Sequence, residues 1–213
     1  MNIRQALEER KRPLVLDGGF GTMVQRYGLK EEDFRGYRYR DIPGMLLGNN
    51  EMLNLTRPDV VSEIYSAYVG AGVDILTANT FSANYISQAD YNCQHLVAEM
   101  NREAVRLARR AFADSGREGF VIATVGPTNK SLSISPDMND PACRAITFDQ
   151  LAEAYIGQME VLAQEGVDAI LLETVFDTLN AKAGIYAMQE VMQRTGKDIP
   201  LMLSATVNDT AGR

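Results

Sequence analysis

Two acidic residues stand at the ends of apolar segments that have the composition of buried strands. Asp17 follows the apolar residues 14–16, and Glu173 follows the apolar run 169–172. A continuous apolar run is typical of a parallel strand covered on both faces by helices, so the acid at its end is expected to face a cleft. Two such carboxylates could act as a general acid and base, or they could hold a cationic ammonium group. Without a positioned histidine, the second role is chemically simpler.

A glycine-rich sequence follows the first of these acids directly. Gly18, Gly19 and Gly21 surround Phe20, which places three glycines within four positions. Glycine lets the backbone turn tightly and approach a ligand closely, at an entropic cost that a plain connector would avoid. The sequence therefore favours a functional loop after Asp17 over a simple turn.

The composition narrows the classes of partner. The chain has 213 residues, a formal net charge of −7 and no run of basic residues longer than three. Nucleic acid and anionic membranes require a concentrated patch of Lys and Arg, so neither is the expected partner. The polar N-terminus lacks an apolar signal core and no apolar run approaches a membrane span, which predicts a cytoplasmic protein. The length suits one domain, residues 1–213.

The sequence gives little support for a disulfide, a metal site or a phosphate-binding loop. Cys93 and Cys143 lie 50 positions apart without a CxxC motif, which predicts free thiols. Cys93 and His95 together supply at most two of the ligands that zinc requires, so no metal site is expected there. The loop 126–131 ends in Lys-Ser but carries Pro127 where a phosphate-binding loop needs a backbone donor, so we reject that function.

A sequence repeat indicates that the two acids belong to the same series of strands and helices. Gly72, Gly119 and Gly166 are spaced 47 residues apart, and each is followed by an apolar strand pattern and then a helical pattern. This repeat predicts consecutive β/α units. The predicted strands are residues 14–17, 73–77, 120–125, 169–172 and 199–205. The predicted helices are residues 2–11, 56–70, 95–114, 147–166 and 177–196.

The order of these elements limits the fold class. Right-handed crossovers make the strand ends that carry Asp17, Asn79, Thr124 and Glu173 open on one face. Five units could form an open doubly wound sheet or the first part of a TIM (β/α)8 barrel. The uniform repeat, with no GxGxxG after the first strand, favours the barrel, whose first and fifth strands would have bare edges here. Residues 29–54 show no period and are predicted to form a long irregular insertion.

Longer motifs in the chain match a known family. They are the segments 16–23, 33–36, 48–58, 77–81, 126–136 and 172–182, which begin LDGG, DFRG, GNNE, TANTF, GPTNK and LET. In this order, over nearly the whole chain, they resemble the homocysteine-binding module of bacterial cobalamin-dependent methionine synthases, a branch of the homocysteine S-methyltransferase family. The resemblance implies a (β/α)8 barrel that binds homocysteine at the carboxyl ends of its strands.

The resemblance also implies an activity and a set of site residues. The family transfers a methyl group, in this branch from methylcobalamin and originally from methyltetrahydrofolate, to the homocysteine thiolate, which gives methionine. By the same resemblance, the substrate-binding residues are Asp17 with the adjacent Gly18 and Gly19, and Glu173. Asn79 and Thr80 are implied at the pocket floor.

The cofactors implied by the resemblance belong to a longer protein. The family holds zinc with three cysteines that have no counterpart in this chain and are expected beyond Arg213. Zinc and cobalamin are thus expected in the full-length enzyme, which also carries folate, cobalamin and reactivation modules. Neither is expected on this chain alone, which is predicted to be inactive. The alternatives are a methyltransferase that uses betaine or S-methylmethionine, and a truncated, non-catalytic binding module.

Overall fold

The computed structural model describes residues 2–9 and 12–207. The strands are β1 (Ile75–Ala78), β2 (Phe120–Val125), β3 (Ala169–Val175) and β4 (Leu201–Ala205). The short helices are α1 (Ile3–Glu8), α2 (Phe20–Gln25), α3 (Glu31–Arg35), α4 (Leu53–Thr56) and α6 (Tyr85–Ala89), with 3-10 turns at Asn50–Met52 and Gln94–Leu96. The long helices are α5 (Pro58–Ala71), α7 (Val97–Ser115), α8 (Phe148–Gln164) and α9 (Thr178–Thr195).

The four strands form one parallel sheet in the order β1-β2-β3-β4. Helices α7, α8 and α9 connect consecutive strands, so each connection is one β/α unit. This sequential order lacks the reversal that defines a doubly wound sheet. The predicted α/β class with a parallel sheet is confirmed, whereas closure into a barrel stays a prediction.

The first predicted strand is much shorter than expected. Within residues 14–17, only Leu16 forms a bridge, to Ile75 in parallel orientation. The Asp17 amide donates to the Ile75 carbonyl at 3.0 Å, and the Ile75 amide donates to Val15 at 3.1 Å. Val15 and Leu16 are 50% and 43% exposed, as expected for a segment with a sheet neighbour on one side only. The segment nevertheless lies beside β1 and fixes the backbone of Asp17.

The repeated aspartates explain part of the sequence repeat. Asp74 accepts a hydrogen bond from the Val15 amide at 2.8 Å, and Asp168 accepts one from the Val121 amide at 2.7 Å. Each aspartate therefore ties its own strand to the beginning of the preceding one. Gly119 differs from the other two repeat glycines, because a Cβ there would lie 2.1 Å from the Phe112 ring.

Two apolar layers enclose the sheet. The larger lies between the sheet and the long helices, and the smaller covers the opposite face through Ile3, Ile75, Ile122, Ala169 and Leu171. Ile3, on α1, is 2% exposed, so this helix covers the lower part of the second face. Residues 10 and 11 of the predicted first helix lie outside the described residues. The polar residues of the second face are left at the carboxyl ends of the strands.

The helix signals in the sequence were mostly reliable. Thr147 forms the predicted capping box with Gln150, and Asp177 caps α9. Thr56 does not cap the next helix, which begins at Pro58, because its hydroxyl donates to the Met52 carbonyl instead. Helices α2, α3, α4 and α6 were not predicted. Within residues 2–9 and 12–207, no helix is both long and apolar enough to cross a membrane.

The segment 29–54 is more ordered than the sequence predicted. It contains α3 and a 3-10 turn, and it buries Phe34, Tyr39 and Leu46 in the larger core. The Glu31 carboxylate accepts hydrogen bonds from the Leu46 and Leu47 amides at 3.0 and 2.7 Å. These contacts tie residues 46 and 47 to α3. The Asn54 amide nitrogen donates to the Asn79 carbonyl at 2.9 Å, which holds the end of the segment beside the carboxyl end of β1.

Candidate substrate-binding site

A cleft of about 500 Å³ lies at the carboxyl ends of the strands. Three carboxylates line it, those of Asp17, Glu51 and Glu173, and no Lys, Arg or His is among its lining residues. The predicted meeting of Asp17 and Glu173 at one cleft is what the structure shows. A concave surface with negative charges and no cation of its own favours a positively charged ligand group.

Asp17 is fixed by β1 at both its backbone and its side chain. Thr77 donates its amide to Asp17 Oδ2 at 2.8 Å, and its hydroxyl lies 3.0 and 3.1 Å from the two carboxylate oxygens. Burial raises the pKa of Asp17, the hydrogen bonds from Thr77 lower it and the charge of Glu173 raises it, which together give a value of about 6. The two acids are therefore close enough to repel each other.

A β-bulge places Glu173. Leu172 pairs with Leu203 and Val175 pairs with Ala205, so β3 has one residue more than β4 across this interval. Thr174 has a φ of 60°, which a β-branched residue rarely adopts. Bulges often direct a side chain at a functional site. Here, burial raises the pKa of Glu173, and no hydrogen bond from a described residue opposes it.

The backbone at Thr174 gives a prediction about stability. Residues held in a sparsely populated region cost about 1–3 kcal/mol, and glycine adopts a positive φ without that cost. Thr174→Gly is therefore expected to raise the free energy of unfolding by about 1 kcal/mol, as measured by urea denaturation. Thr178→Gly in α9 is the control and should lower it, because glycine is unfavourable in a helix. A loss of stability in both variants would contradict strain at Thr174.

Glu51 is a third cleft carboxylate that the sequence analysis did not assign. It is 6% exposed, and it accepts a hydrogen bond from the Ser82 amide at 2.8 Å. Burial raises its pKa. Glu51 stands in the GNNE motif, which carried part of the family resemblance, but its position in the cleft depends on how the segment 29–54 packs.

Asn79 lines the cleft and can offer it only an acceptor. Its amide nitrogen donates both hydrogens to the protein, to the Asn50 carbonyl at 2.8 Å and to Asn54 Oδ1 at 3.0 Å. The side-chain oxygen is the one polar atom of this amide left for a ligand. The cleft thus combines a neutral acceptor with three carboxylates.

Thr80 does not line the cleft, which corrects the expectation that it forms the floor. Its side chain is fully buried, and its hydroxyl donates to the Thr124 carbonyl at 2.7 Å. The Thr80 carbonyl accepts a hydrogen bond from Gln158 on α8 at 2.7 Å. Thr80 therefore joins the loop after β1 to the neighbouring strand and helix layer.

The glycines after Asp17 form the cleft wall at the start of α2. Gly18 and Gly19 both line the cleft, and Gly19 precedes the first helical residue, Phe20. A Cβ on Gly18 would lie 3.1 Å from the Tyr68 hydroxyl, which is tighter than ordinary contact. The expected tight loop is therefore a strand-to-helix connection, and the close approach is to Tyr68.

Two larger clefts have different characters. One, of about 610 Å³, lies at the opposite ends of the strands and has Arg12 and Arg117 among its lining residues, with Asp74 paired to Arg12 at 2.6 Å. The other, of about 910 Å³, lies among α6, α7 and α8, away from the strand ends. That cleft has His95 and Lys130 among its lining residues. Three carboxylates without a basic lining side chain, rather than volume, therefore identify the cleft at Asp17 as the candidate site.

A zinc site does not fit the described residues. No group of three or more His, Cys, Asp or Glu side chains in residues 2–9 and 12–207 is placed to hold a metal ion. Cys93 is buried and Cys143 is partly exposed, and both are free thiols, as the sequence predicted.

The fold and the cleft define a class of protein: a parallel α/β protein with an acidic cleft at the carboxyl ends of its strands. Residues 14–213 match the family described as homocysteine S-methyltransferase. The match spans most of the chain, so the chain belongs to the homocysteine S-methyltransferase family. The family resemblance found in the motifs is thereby confirmed.

Solved structures with the same fold carry related names. The oxidized form of the homocysteine methyltransferase MmuM from Escherichia coli superposes with a TM-score of 0.69 at 18% sequence identity, covering 96% of this chain and 66% of that one. Its metallated form gives a TM-score of 0.68 at 18% identity, with 96% and 67% covered. At this identity the likeness supports the fold alone. This chain spans about two thirds of the length of that protein.

Proposed function

We propose that this chain is the homocysteine-binding part of a cytoplasmic methyltransferase that makes methionine. The observation that carries the proposal is the pairing of Asp17 and Glu173 at one cleft that lacks a cation of its own. Homocysteine carries an ammonium group, and that group would provide the missing positive charge. The likeness of fold to a longer relative supports a (β/α)8 barrel completed by further strands.

The cleft residues bind and orient the amino-acid end of the substrate. Asp17 is already directed by Thr77, and no described residue donates a hydrogen bond to Glu173, so both carboxylates are available to accept hydrogen bonds from an ammonium group. Asn79 adds a neutral acceptor. Charge-assisted hydrogen bonds of this kind are shorter and stronger than neutral ones. Holding the ammonium group at two or three points would fix the direction of the thiol-bearing side chain.

The chemistry at sulfur is assigned to parts beyond the described residues. Zinc, when bound, lowers the pKa of a coordinated thiol, but the described residues offer no set of ligands for it. The segments 33–36 and 126–136 favour the cobalamin-dependent branch over the branch that uses betaine or S-methylmethionine. Homocysteine and the folate, cobalamin and reactivation modules of the same polypeptide are the proposed partners.

Comparing two thiols tests the proposed recognition. Homocysteine and 4-mercaptobutanoate differ only in the ammonium group, and NMR titration of the isotope-labelled chain under reducing conditions detects even millimolar binding. We expect homocysteine to bind about 10-fold to 100-fold more tightly, since a hydrogen bond to a charged group contributes about 1.5–3 kcal/mol. Equal affinities, or no shifts at residues around Asp17 and Glu173 with homocysteine, would refute ammonium recognition by this cleft.

A further inference from the structure

Thr77 makes an unusual set of contacts for a residue in a strand. Its amide and its hydroxyl both reach the Asp17 carboxylate, at 2.8 Å and at 3.0 and 3.1 Å. Asp17 lies on the neighbouring segment, which has only one bridge to β1. Thr77 therefore provides the main side-chain link between Asp17 and the sheet.

We propose that Thr77 is a positioning residue, which fixes the direction of the Asp17 carboxylate and favours its ionised form for binding the substrate ammonium group. The part of this inference that concerns substrate rests on the proposed function. The link between Thr77 and Asp17 stands on the hydrogen-bond geometry and can be tested without substrate.

The surroundings of Asp17 explain why such a partner is required. Burial disfavours the charged form, and Glu173 on β3 adds a like charge, so the pKa of Asp17 is raised to about 6. On α5, Tyr65 and Tyr68 face the same carboxylate, whose charge contributes to their raised pKa values. The amide and hydroxyl of Thr77 favour the ionised form most strongly, with a smaller contribution from the Asp17 amide itself. Removing the hydroxyl would leave one of these two donors.

The hydrogen-bond geometry also indicates that Thr77 fixes the orientation of the Asp17 carboxylate. A carboxylate on a flexible edge segment could rotate, but donors from one residue to both oxygens restrict its plane. Thr77 lies near the carboxyl end of β1, on the same face as Ile75, and it lines the cleft. Threonine is well suited to a strand, and valine keeps its shape without the hydroxyl.

The test compares Thr77→Val with Thr77→Ser in the whole chain. The Asp17 side-chain carboxyl is followed by carbon-13 NMR as a function of pH, and homocysteine binding is measured at pH 7 by NMR titration. For Thr77→Val we expect the Asp17 titration midpoint to rise by about one pH unit, given that one unit corresponds to 1.36 kcal/mol. We expect homocysteine affinity to fall about 10-fold. Thr77→Ser keeps a hydroxyl and should restore both values.

The outcomes separate the inference from the proposed function. An unshifted Asp17 titration in Thr77→Val overturns the inference, whatever happens to homocysteine binding. A shifted titration with normal homocysteine binding also overturns the positioning role. A shifted titration in a chain whose unmodified form binds no homocysteine supports the link between Thr77 and Asp17 and refutes the proposed function. If Thr77→Val does not fold, Thr77→Ala serves in its place.

Discussion

Asp17→Asn is expected to abolish detectable homocysteine binding while leaving the fold intact. Removing one partner of a buried, charge-assisted contact costs about 2–5 kcal/mol of binding, which is at least a 30-fold loss of affinity. The measurement is an NMR titration of both proteins with homocysteine at pH 7. Asp41→Asn is the matched control, since the Asp41 side chain is 94% exposed, and it should bind as the unmodified chain does.

The stability of the Asp17→Asn variant distinguishes a lost contact from a damaged fold. The pKa of Asp17 is raised in the folded state to about 6 from an ordinary value of 3.8. The folded chain then binds more protons than the unfolded chain between these values, so the contribution of Asp17 to stability falls as pH rises through that window. At pH 7 the ionised carboxylate is destabilising. Asparagine should therefore leave the unfolding temperature equal or higher, and a clear decrease would contradict this assignment.

Homocysteine affinity should rise with pH, whereas the contribution of Asp17 to folding stability falls. Binding of the ammonium group requires ionised Asp17, so affinity should fall as pH decreases below about 6. Glu173 acts in the same direction, because burial raises its pKa as well. Affinity that stays constant from pH 7 to pH 5 would contradict an ionic role for both residues.

Asp177→Ala is expected to produce the largest loss of stability among single substitutions near the cleft. Asp177 caps α9 by accepting from the Leu179 amide at 2.9 Å, and it also binds the loop after β2 by accepting from the Ser133 hydroxyl at 2.7 Å. The Ser131 hydroxyl donates to the same carboxylate. Loss of a cap costs about 1–2 kcal/mol, and loss of the loop contacts adds to it. We expect a total of about 3 kcal/mol.

Thermal and acid unfolding measure this contribution. A loss of about 3 kcal/mol should lower the unfolding temperature by about 6–12 °C for a chain of this size. Asp149→Ala, in the first turn of α8, is the control and should have a much smaller effect. Burial raises the pKa of Asp177, but hydrogen bonds from Ser131 and Ser133 lower it to about 2. The stability from Asp177 is thus complete above about pH 4 and is lost as pH falls toward 2, so Asp177→Ala should remove that part of the acid dependence.

The order of the elements could be predicted because local patterns encode it. Apolar runs 120–125 and 169–172 gave strands, and capping residues Thr147 and Asp177 gave helix starts, since both depend on neighbouring residues in the chain. The short helices α2, α3, α4 and α6 were missed because they have few residues and no periodic apolar face. The strand at residues 14–17 was overestimated because strand extent depends on having partners, which the local pattern does not record.

Part of the site could be predicted because local patterns also show where each strand ends. Asp17 and Glu173 could be placed at one cleft, since the carboxyl ends of parallel strands face the same side of a sheet. Thr80 was misplaced because its position next to Asn79 says nothing about which side chain faces the cleft. Glu51 was not assigned because it comes from the segment 29–54, whose course depends on long-range packing.

The sequence by itself determined the order of the β/α units, the family and the two acids at strand ends, because each depends on a short pattern of neighbouring residues. Only the tertiary structure decided what surrounds those acids. Thr77 donates a hydrogen bond to Asp17, which lies 60 residues earlier in the chain, and Glu51 reaches the cleft from a separate segment. The bulge at Glu173 depends on the register between β3 and β4. Such contacts set the charge and direction of the carboxylates, and they arise only when the whole sheet has formed.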